Sequence, residues 1–356
     1  MIGGVVLALG IVAATSVARQ HTAPPAVVDG FDLNDAHVHL TNYIQEGTSL
    51  REFLAIMGTK VGRAALFGIP LQQQWSYAHT GDFAPSSYIA TDAPLYYYSF
   101  TDASIAMAYR SLTPEQQARL DPMITGFNPA DMYAADHVRR VLTAFPGVFS
   151  GIGEFIVHKE LVSSKIAGEA PSLLNPALDR LLDFAGDVGL VAILHEDIDV
   201  PYPKPDQEPY QITQLKRLLA RHPETAIVWA HVGLGRVVRP PKNQVAIVDG
   251  VLSNPALQHV YLDLSSNETA KYIVSTPESI RMMAAVINRY PDRFLFGTDE
   301  VAPFTQATYL RISEQYDPLF VQLSTEAREK VRKTNYARLF DDARRRVRAW
   351  ENAHVR

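Results

Sequence analysis

The order of apolar and polar positions along the chain predicts eight β-strands. Eight short apolar runs recur, and most are continuous rather than alternating, which is typical of parallel strands that are covered on both faces. These runs are residues 31–40, 61–69, 122–127, 149–157, 190–195, 226–231, 260–264 and 293–299. Polar stretches and segments with helical spacing separate them.

Four of the intervening segments have apolar residues at helical spacing: residues 130–145, 176–188, 210–221 and 277–290. Asn175 and Thr276 each precede a proline and are good helix N-caps. Strands that alternate with helices predict an α/β fold, here a (β/α)₈ TIM barrel with long loops at its C-terminal face. A doubly wound open sheet is the alternative, but no glycine-rich dinucleotide fingerprint follows the first strand.

The start of the chain differs from the rest. Ile2–Ala14 is almost wholly apolar or glycine, and Ser16-Val17-Ala18 resembles a signal-peptidase site. We therefore expect a signal peptide at 1–18, a linker at 19–26, the barrel at 27–348 and a tail at 349–356. The protein would be exported, to a periplasm or the exterior, without stable membrane insertion, because a spanning helix needs about 20 apolar residues. The leader lacks Lys and Arg, so a cytoplasmic protein remains the alternative.

Composition excludes several classes of function. The chain is 47% hydrophobic and 20% charged, which are ordinary globular values. Its net charge of −5 gives no electrostatic reason to bind nucleic acid. It has no cysteine, which excludes disulfides, thiolate metal sites and cysteine nucleophiles. The expected partner is a small-molecule substrate, and the sequence leaves open whether the protein forms an oligomer.

Polar residues stand at the C-terminal ends of the predicted strands, where a barrel carries its active face. The first strand ends in His37-Val38-His39, whose imidazoles share one face because strand side chains alternate. The other strand-end residues are Glu154 on the fourth strand, His195 on the fifth, His231 on the sixth and Asp299 on the eighth. Each of these residues alone has a plain structural explanation, but their joint occurrence at the same end of different strands is improbable by chance. His158 shares the parity of Glu154 and is a further candidate at the mouth.

The order of these residues resembles the amidohydrolase superfamily of metal-dependent enzymes. The matching motifs are Ala36-His37-Val38-His39, Leu194-His195, Ala230-His231-Val232-Gly233 and Phe296-Gly297-Thr298-Asp299. They look most like the branch that contains aminocarboxymuconate semialdehyde decarboxylase and related hydrolases. The resemblance implies that His37, His39, His195 and Asp299 bind a metal and that His231 and Asp299 are catalytic. Glu154 departs from the pattern, and with His158 it would hold a second metal or the substrate.

Imidazoles and a carboxylate suit Zn²⁺ or another divalent transition metal, and we expect one ion per chain. Such an ion lowers the pKa of a bound water towards about 7. Asp299 would then take the proton from this water, and His231 would polarise the carbonyl group of the substrate. We therefore expect a hydrolase that cleaves an ester, lactone or amide-type bond of a small organic substrate. The alternative is a non-oxidative decarboxylase of a small aromatic or unsaturated acid. A non-enzymatic barrel with a sealed structural metal is a third hypothesis.

Two further segments carry expectations. Residues 70–99 are rich in Trp and Tyr and are interpreted either as a lid over the site or as a packed excursion at the barrel edge. The basic run 344–348 lies late in a predicted C-terminal helix, where we expect a solvated face.

Overall fold

The computed structural model describes residues 30–355, apart from 160–161, 163–165, 169–171, 201–208 and 239. The predicted signal peptide and linker lie outside these residues. Eight parallel strands are present: β1 Leu33–His39, β2 Val61–Phe67, β3 Leu120–Ile124, β4 Gly151–His158, β5 Val191–Glu196, β6 Ile227–Trp229, β7 Val260–Leu264 and β8 Phe294–Phe296. Each strand pairs with the next one along the chain.

The sheet closes into a barrel between β8 and β1. Beyond β8 the chain forms a short strand, Glu300–Val301, that pairs in parallel with β1. At the same seam the Asp299 N–H donates to the His37 carbonyl at 2.7 Å. The predicted (β/α)₈ barrel is therefore confirmed, and each predicted apolar run overlaps one of its strands.

Helices cover the outside of the barrel. The α-helices in the described residues are Leu50–Met57, Tyr77–Thr80, Phe100–Arg110, Pro114–Ala118, Ala134–Ala144, Pro176–Val188, Tyr210–Arg221, Gln244–Leu252, Asn267–Ile273, Pro277–Arg289, Gln306–Gln315, Asp317–Gln322, Thr325–Glu329 and Asn335–His354. The predicted caps form, because the Asn175 side chain accepts the Ala177 N–H and the Thr276 hydroxyl accepts the Ser279 N–H. None of the helices that the structure describes combines the length and the apolar character that crossing a membrane requires.

The N-terminal end of the barrel is closed by the last helix. Tyr336 and Phe340 stack at 4.5 Å between ring centroids and join the apolar residues of the barrel interior. Three arginines of the run 344–348 donate to main-chain carbonyls here: Arg344 to Leu120 at 2.7 Å, Arg346 to Gly186 at 2.6 Å and Arg348 to Phe149 at 2.6 Å. The expectation of a solvated face is therefore wrong for these three arginines, because the main-chain carbonyls at this end of the barrel need donors.

Residues 70–99 contain a small antiparallel hairpin, Leu71–Gln73 paired with Leu95–Tyr97, which we call the roof hairpin. Leu71 and Leu95 are fully buried and pack in one cluster with Ile156 of β4. Ile156 lies opposite His195 in the β4–β5 register, so both side chains face the barrel interior. The excursion is thus packed, and it covers the C-terminal mouth of the barrel rather than its outer edge.

Candidate metal centre

The C-terminal strand ends bring together six of the seven predicted site residues: His37, His39, Glu154, His195, His231 and Asp299. Five of them are buried, whereas the Asp299 side chain is 19% exposed. His158 lies apart from this cluster, because its Nδ1 faces Glu196 Oε1 at 2.9 Å and its side chain is 30% exposed. The cluster therefore reaches solvent at Asp299.

The two histidines of β1 and Asp299 form one group of possible ligands. Asp299 Oδ1 lies 3.4 Å from His37 Nε2 and 3.1 Å from His39 Nε2. Against the cost of burial, His231 and His39 hold the pKa of Asp299 well below its usual range, so it is a carboxylate. His37 Nε2 is buried and has no hydrogen-bond partner among the described residues. The ring nitrogens of His37 and His39 and a carboxylate oxygen of Asp299 lie close enough together to bind one divalent metal ion.

Asp263, which the strand-end argument missed, fixes the orientation of His37. Its Oδ2 lies 2.9 Å from His37 Nδ1, and its Oδ1 accepts the His231 backbone N–H at 2.6 Å. A carboxylate at Nδ1 fixes a proton there, so that the neutral form of the ring presents its Nε2 lone pair to the cluster. Asp263 lies inside the β7 run rather than at its tip. The available signal was one acidic residue within an otherwise apolar strand.

Glu154 connects the β1 group to a second group on β5 and β6. Its Oε2 lies 3.3 Å from His39 Nε2, while its Oε1 lies 2.6 Å from His195 Nδ1 and 3.1 Å from His231 Nε2. Against the cost of burial, His195 and Lys159 lower the pKa of Glu154 well below its usual value. The Glu154 carboxylate therefore belongs to the second group and contacts the first one through His39.

His195 is held by carboxylates on both ring nitrogens. Its Nδ1 faces Glu154 at 2.6 Å and its Nε2 faces Asp197 Oδ1 at 3.1 Å. Burial and Lys159 oppose the charge, but Glu154 and Asp197 raise the pKa of His195 to about 9. The geometry thus groups His195 with Glu154 and His231 rather than with the β1 histidines, and its predicted role as a ligand remains a prediction.

The main chain is strained where these side chains leave their strands. His231 and Val232 after β6 have φ of 57° and 55°, and Asp299 after β8 has φ of 54°, all in the left-handed region. Such conformations are costly for residues other than glycine and cluster at functional sites. Gly297 permits the close approach of β8 to β1, since a Cβ there would lie 2.6 Å from the His37 Cβ.

Cationic and aromatic side chains surround the mouth of the cluster. The Tyr43 and Tyr88 rings contact edge to face at 4.9 Å, and the Arg236 guanidinium lies over Tyr88 at 5.6 Å from its centroid. Lys159 follows β4 directly; burial opposes its charge, but the neighbouring Glu154 raises the pKa of its ammonium group. The strand-end argument selected none of these residues, because they lie on loops. They provide aromatic surface and positive charge beside the cluster.

A family model described as Amidohydrolase matches residues 35–341. The fold is similar to an amidohydrolase from Burkholderia multivorans with bound zinc, at 13% identity and a TM-score of 0.54 over 86% of this chain and 98% of that one. It is also similar to a putative 2-pyrone-4,6-dicarboxylic acid hydrolase from Pseudomonas putida, at 15% identity and a TM-score of 0.52 over 88% of this chain and 98% of that one. A third similar structure is 2,6-dihydroxybenzoate decarboxylase from Rhizobium, at 14% identity and a TM-score of 0.50 over 87% of this chain and 98% of that one. No curated protein matches the chain. The likeness to these solved structures shows the fold, and the family model, which spans nearly the whole barrel, shows that this chain belongs to the amidohydrolase family.

Proposed function

We propose that this protein is a metal-dependent hydrolase that cleaves an ester, lactone or amide-type bond of a small organic substrate. Asp299 carries the proposal, because its carboxylate faces both β1 imidazoles and is the most exposed of the six clustered side chains. A group in that position can help to hold an ion and still exchange a proton with a substrate. The exposure of Asp299 also speaks against a sealed structural metal.

His37, His39 and Asp299 would hold one Zn²⁺ or similar divalent ion per chain. An ion bound there supplies Lewis acidity, which acidifies water and polarises a carbonyl group. His195, the fourth predicted ligand, would have to release Glu154 or Asp197 to join this set. One ion per chain is therefore our expected content, and Glu154 is the residue through which a second ion would bind.

The protein's own residues then divide the proton transfers. Asp299 takes a proton from the attacking water as the new carbon–oxygen bond forms. It returns this proton to the leaving oxygen or nitrogen as the old bond breaks, which regenerates the Asp299 carboxylate for the next turnover. His231 is held by Ser265 Oγ at Nδ1, 2.7 Å away, and its Nε2 faces the cluster interior, where it would stabilise the developing oxyanion.

The direct test is Asp299→Asn, assayed on a panel of aryl esters and lactones with zinc in excess. Asn has nearly the same shape but accepts no proton at neutral pH, so we expect kcat to fall by at least about 100-fold. Metal content should be reduced but retained, because the histidines remain. Glu300→Gln, the next residue along the chain, is the matched control and should keep normal kcat. A near-normal kcat in Asp299→Asn would remove this residue from the mechanism.

A decarboxylase is the second candidate, favoured by Lys159. Its half-buried ammonium group, whose pKa the neighbouring Glu154 raises, suits the carboxylate that every decarboxylase substrate carries. Some decarboxylases that this chain resembles have Glu at the position of His37. The histidine found here therefore favours hydrolysis. Carbon dioxide release from hydroxybenzoates, without hydrolysis of any ester or lactone in the panel, would select the decarboxylase.

A further inference from the structure

The roof hairpin contains buried polar groups that have no partner. Gln73 is only 4% exposed, and neither its amide oxygen nor its amide nitrogen has a hydrogen-bond partner in the part of the chain that the structure describes. The same is true of the buried Tyr97 hydroxyl. Buried polar groups are almost always paired in folded proteins, since an unpaired one costs free energy. The Gln72 amide oxygen, on the opposite face of the hairpin beside Tyr96, is unpaired among the described residues as well, so three side chains of one hairpin require an explanation. Of these three, Gln73 and Tyr97 share a face.

Both groups lie on the inner face of the hairpin. Leu71 stands opposite Tyr97 and Gln73 opposite Leu95, and directly opposed residues of an antiparallel pair share a face. Leu71 and Leu95 are fully buried and Tyr97 packs against their cluster, whereas Tyr96, which alternates with them, is 44% exposed. The Gln73 amide and the Tyr97 hydroxyl therefore point to the barrel side.

The inner face lies above the metal cluster. Its apolar residues contact Ile156, which faces the barrel interior beside His195. At the other side of the mouth the Gln73 N–H donates to the Tyr43 carbonyl at 2.6 Å, and Tyr43 belongs to the loop that follows the β1 histidines. The hairpin thus connects the loop after β1 with β4, the strand that carries Glu154, and we expect a molecule bound at the cluster to meet its inner face.

We propose that Gln73 and Tyr97 are substrate-recognition residues that bind an uncharged oxygen group, a hydroxyl or a carbonyl, on the part of the substrate that faces the roof hairpin. Both side chains are neutral, and each can donate and accept. Burial raises the pKa of the Tyr97 phenol, so it stays protonated and able to donate. The proposal names a substrate class for the proposed hydrolase, a ring lactone or ester with such a group, and in that respect rests on the proposed function.

The experiment uses 3,4-dihydrocoumarin and its monohydroxylated isomers as probes of the zinc-loaded protein. Binding is measured by titration calorimetry and hydrolysis by absorbance. In the wild type, at least one hydroxylated isomer should have a Kd or KM at least about tenfold below that of the parent lactone. Tyr97→Phe and Gln73→Met should each abolish this preference. Tyr96→Phe, the same substitution on the outer face, should retain it.

Thermal unfolding separates recognition from a structural role. If the two groups are unpaired in the free protein, Tyr97→Phe and Gln73→Met should leave Tm unchanged or raise it, because they remove a desolvation cost. A clear fall in Tm would show that the groups are bonded within the protein and would overturn the proposal. So would equal binding of all the lactones, no binding of any, or a preference that survives both substitutions. Binding without hydrolysis would instead count against the proposed reaction and leave the recognition result standing.

Discussion

Asp263 shows how much of this site depends on one carboxylate that contacts a predicted metal ligand, His37. Asp263 accepts hydrogen bonds from the His37 ring and from the His231 main chain, so it holds residues of β1 and β6 at once. The Ser265 hydroxyl, which faces the His231 ring at 2.7 Å, also donates to Asp263. The tautomer of His37 and the strained turn at His231 are therefore set by the same buried side chain.

Asp263→Asn tests this dependence. In this variant, either the Asn NH₂ group would point at His37 Nδ1 in place of an acceptor, or the bond to the His231 N–H would be lost. In both cases the orientation of His37 would be less well fixed, so its Nε2 would bind an ion less readily. We expect zinc affinity to fall about 10–100-fold, as when other carboxylate partners of ligand histidines are removed. Competition with a chromophoric chelator measures the change. Asp32→Asn, at an exposed position just before β1, is the control, and an unchanged affinity in Asp263→Asn would contradict the assigned role.

The sequence predicts the strand-end residues but not their partners, and the reason is geometric. Parallel strands of a barrel end at one face, so His37, His195, His231 and Asp299 can be placed together from the pattern alone. Asp263 and Lys159 are recognised only when distances are available, because neither stands at the tip of an apolar run. Whether His195 binds an ion depends on Asp197, and that contact has no signature in the pattern either.

At the scale of elements, the joint between β1 and β8 is held by Asp35. Its Oδ1 accepts the N–H groups of His37 at 3.0 Å and Thr298 at 2.9 Å, and its Oδ2 accepts the hydroxyls of Thr298 and Tyr309, each at 2.7 Å. One buried carboxylate thereby joins the strand that carries the HxH pair to the turn that carries Asp299. Relative positions within the cluster depend on this joint.

Tyr309→Phe weakens this joint without removing a ligand. We expect a loss of about 1–3 kcal/mol in the free energy of unfolding, the usual cost of a lost hydrogen bond to a charged group, together with lower kcat. Tyr336→Phe is the matched control, because Tyr336 donates to the buried Asp121 at 2.7 Å at the opposite end of the barrel. It should cost similar stability in urea unfolding and leave kcat unchanged. Equal losses of activity in both variants would show that stability alone is responsible.

The buried Asp102 should make the stability of the folded protein depend on pH. It lies in the first turn of the helix Phe100–Arg110 and accepts the N–H groups of Thr125 and Gly126 after β3, at 2.9 and 2.8 Å. Burial raises its pKa to about 7, so the folded protein keeps a proton that the unfolded chain releases near pH 4. The contribution of Asp102 to stability is therefore full below about pH 4 and is lost as the pH rises through 7.

Asp102→Asn cannot ionise, so its free energy of unfolding should vary less between pH 4 and 7 than that of the wild type. The difference between the two curves should change by up to about 4 kcal/mol across this interval. Urea unfolding at a series of pH values measures it. Asp317→Asn, an exposed residue in the first turn of another helix, should run parallel to the wild type. A constant offset between wild type and Asp102→Asn would contradict the shifted pKa.

Strands and caps were predictable because they depend on local pattern, whereas other elements depend on distant contacts. The run 226–231 contains a strand that ends at Trp229, since the chain turns at His231 to reach Asp263. The roof hairpin has strands of three residues each, too short for a periodic signal, and its position depends on distant contacts such as the packing against Ile156. The partners of the basic run 344–348 are equally distant in sequence, because they are main-chain carbonyls of residues 120, 149 and 186.

Over the whole molecule, the two ends of the barrel differ in kind. At the N-terminal end Asp121 is satisfied by Arg63, Arg344 and Tyr336, which is an arrangement that favours stability. At the C-terminal end buried polar atoms are unpaired and the main chain is strained at His231 and Asp299. Unpaired atoms and strained main chain destabilise the free protein and are commonly found where a ligand binds. The stability of this chain should therefore depend on what binds at the C-terminal end of the barrel.

Zinc should therefore stabilise the whole chain. At 100 times its Kd, an ion that binds only the folded protein adds about 2.7 kcal/mol to the free energy of unfolding, which raises Tm by several degrees. Burial opposes the charge on His37, but Asp263 raises the pKa of its imidazole to about 9, so the ion must displace a proton at neutral pH. Stabilisation at a fixed zinc concentration should accordingly increase as the pH rises from 6 to 9. Scanning calorimetry after chelation and readdition measures both effects. His37→Ala should abolish the response and His354→Gln, near the C-terminus, should keep it; a response that survives in His37→Ala would place the ion elsewhere.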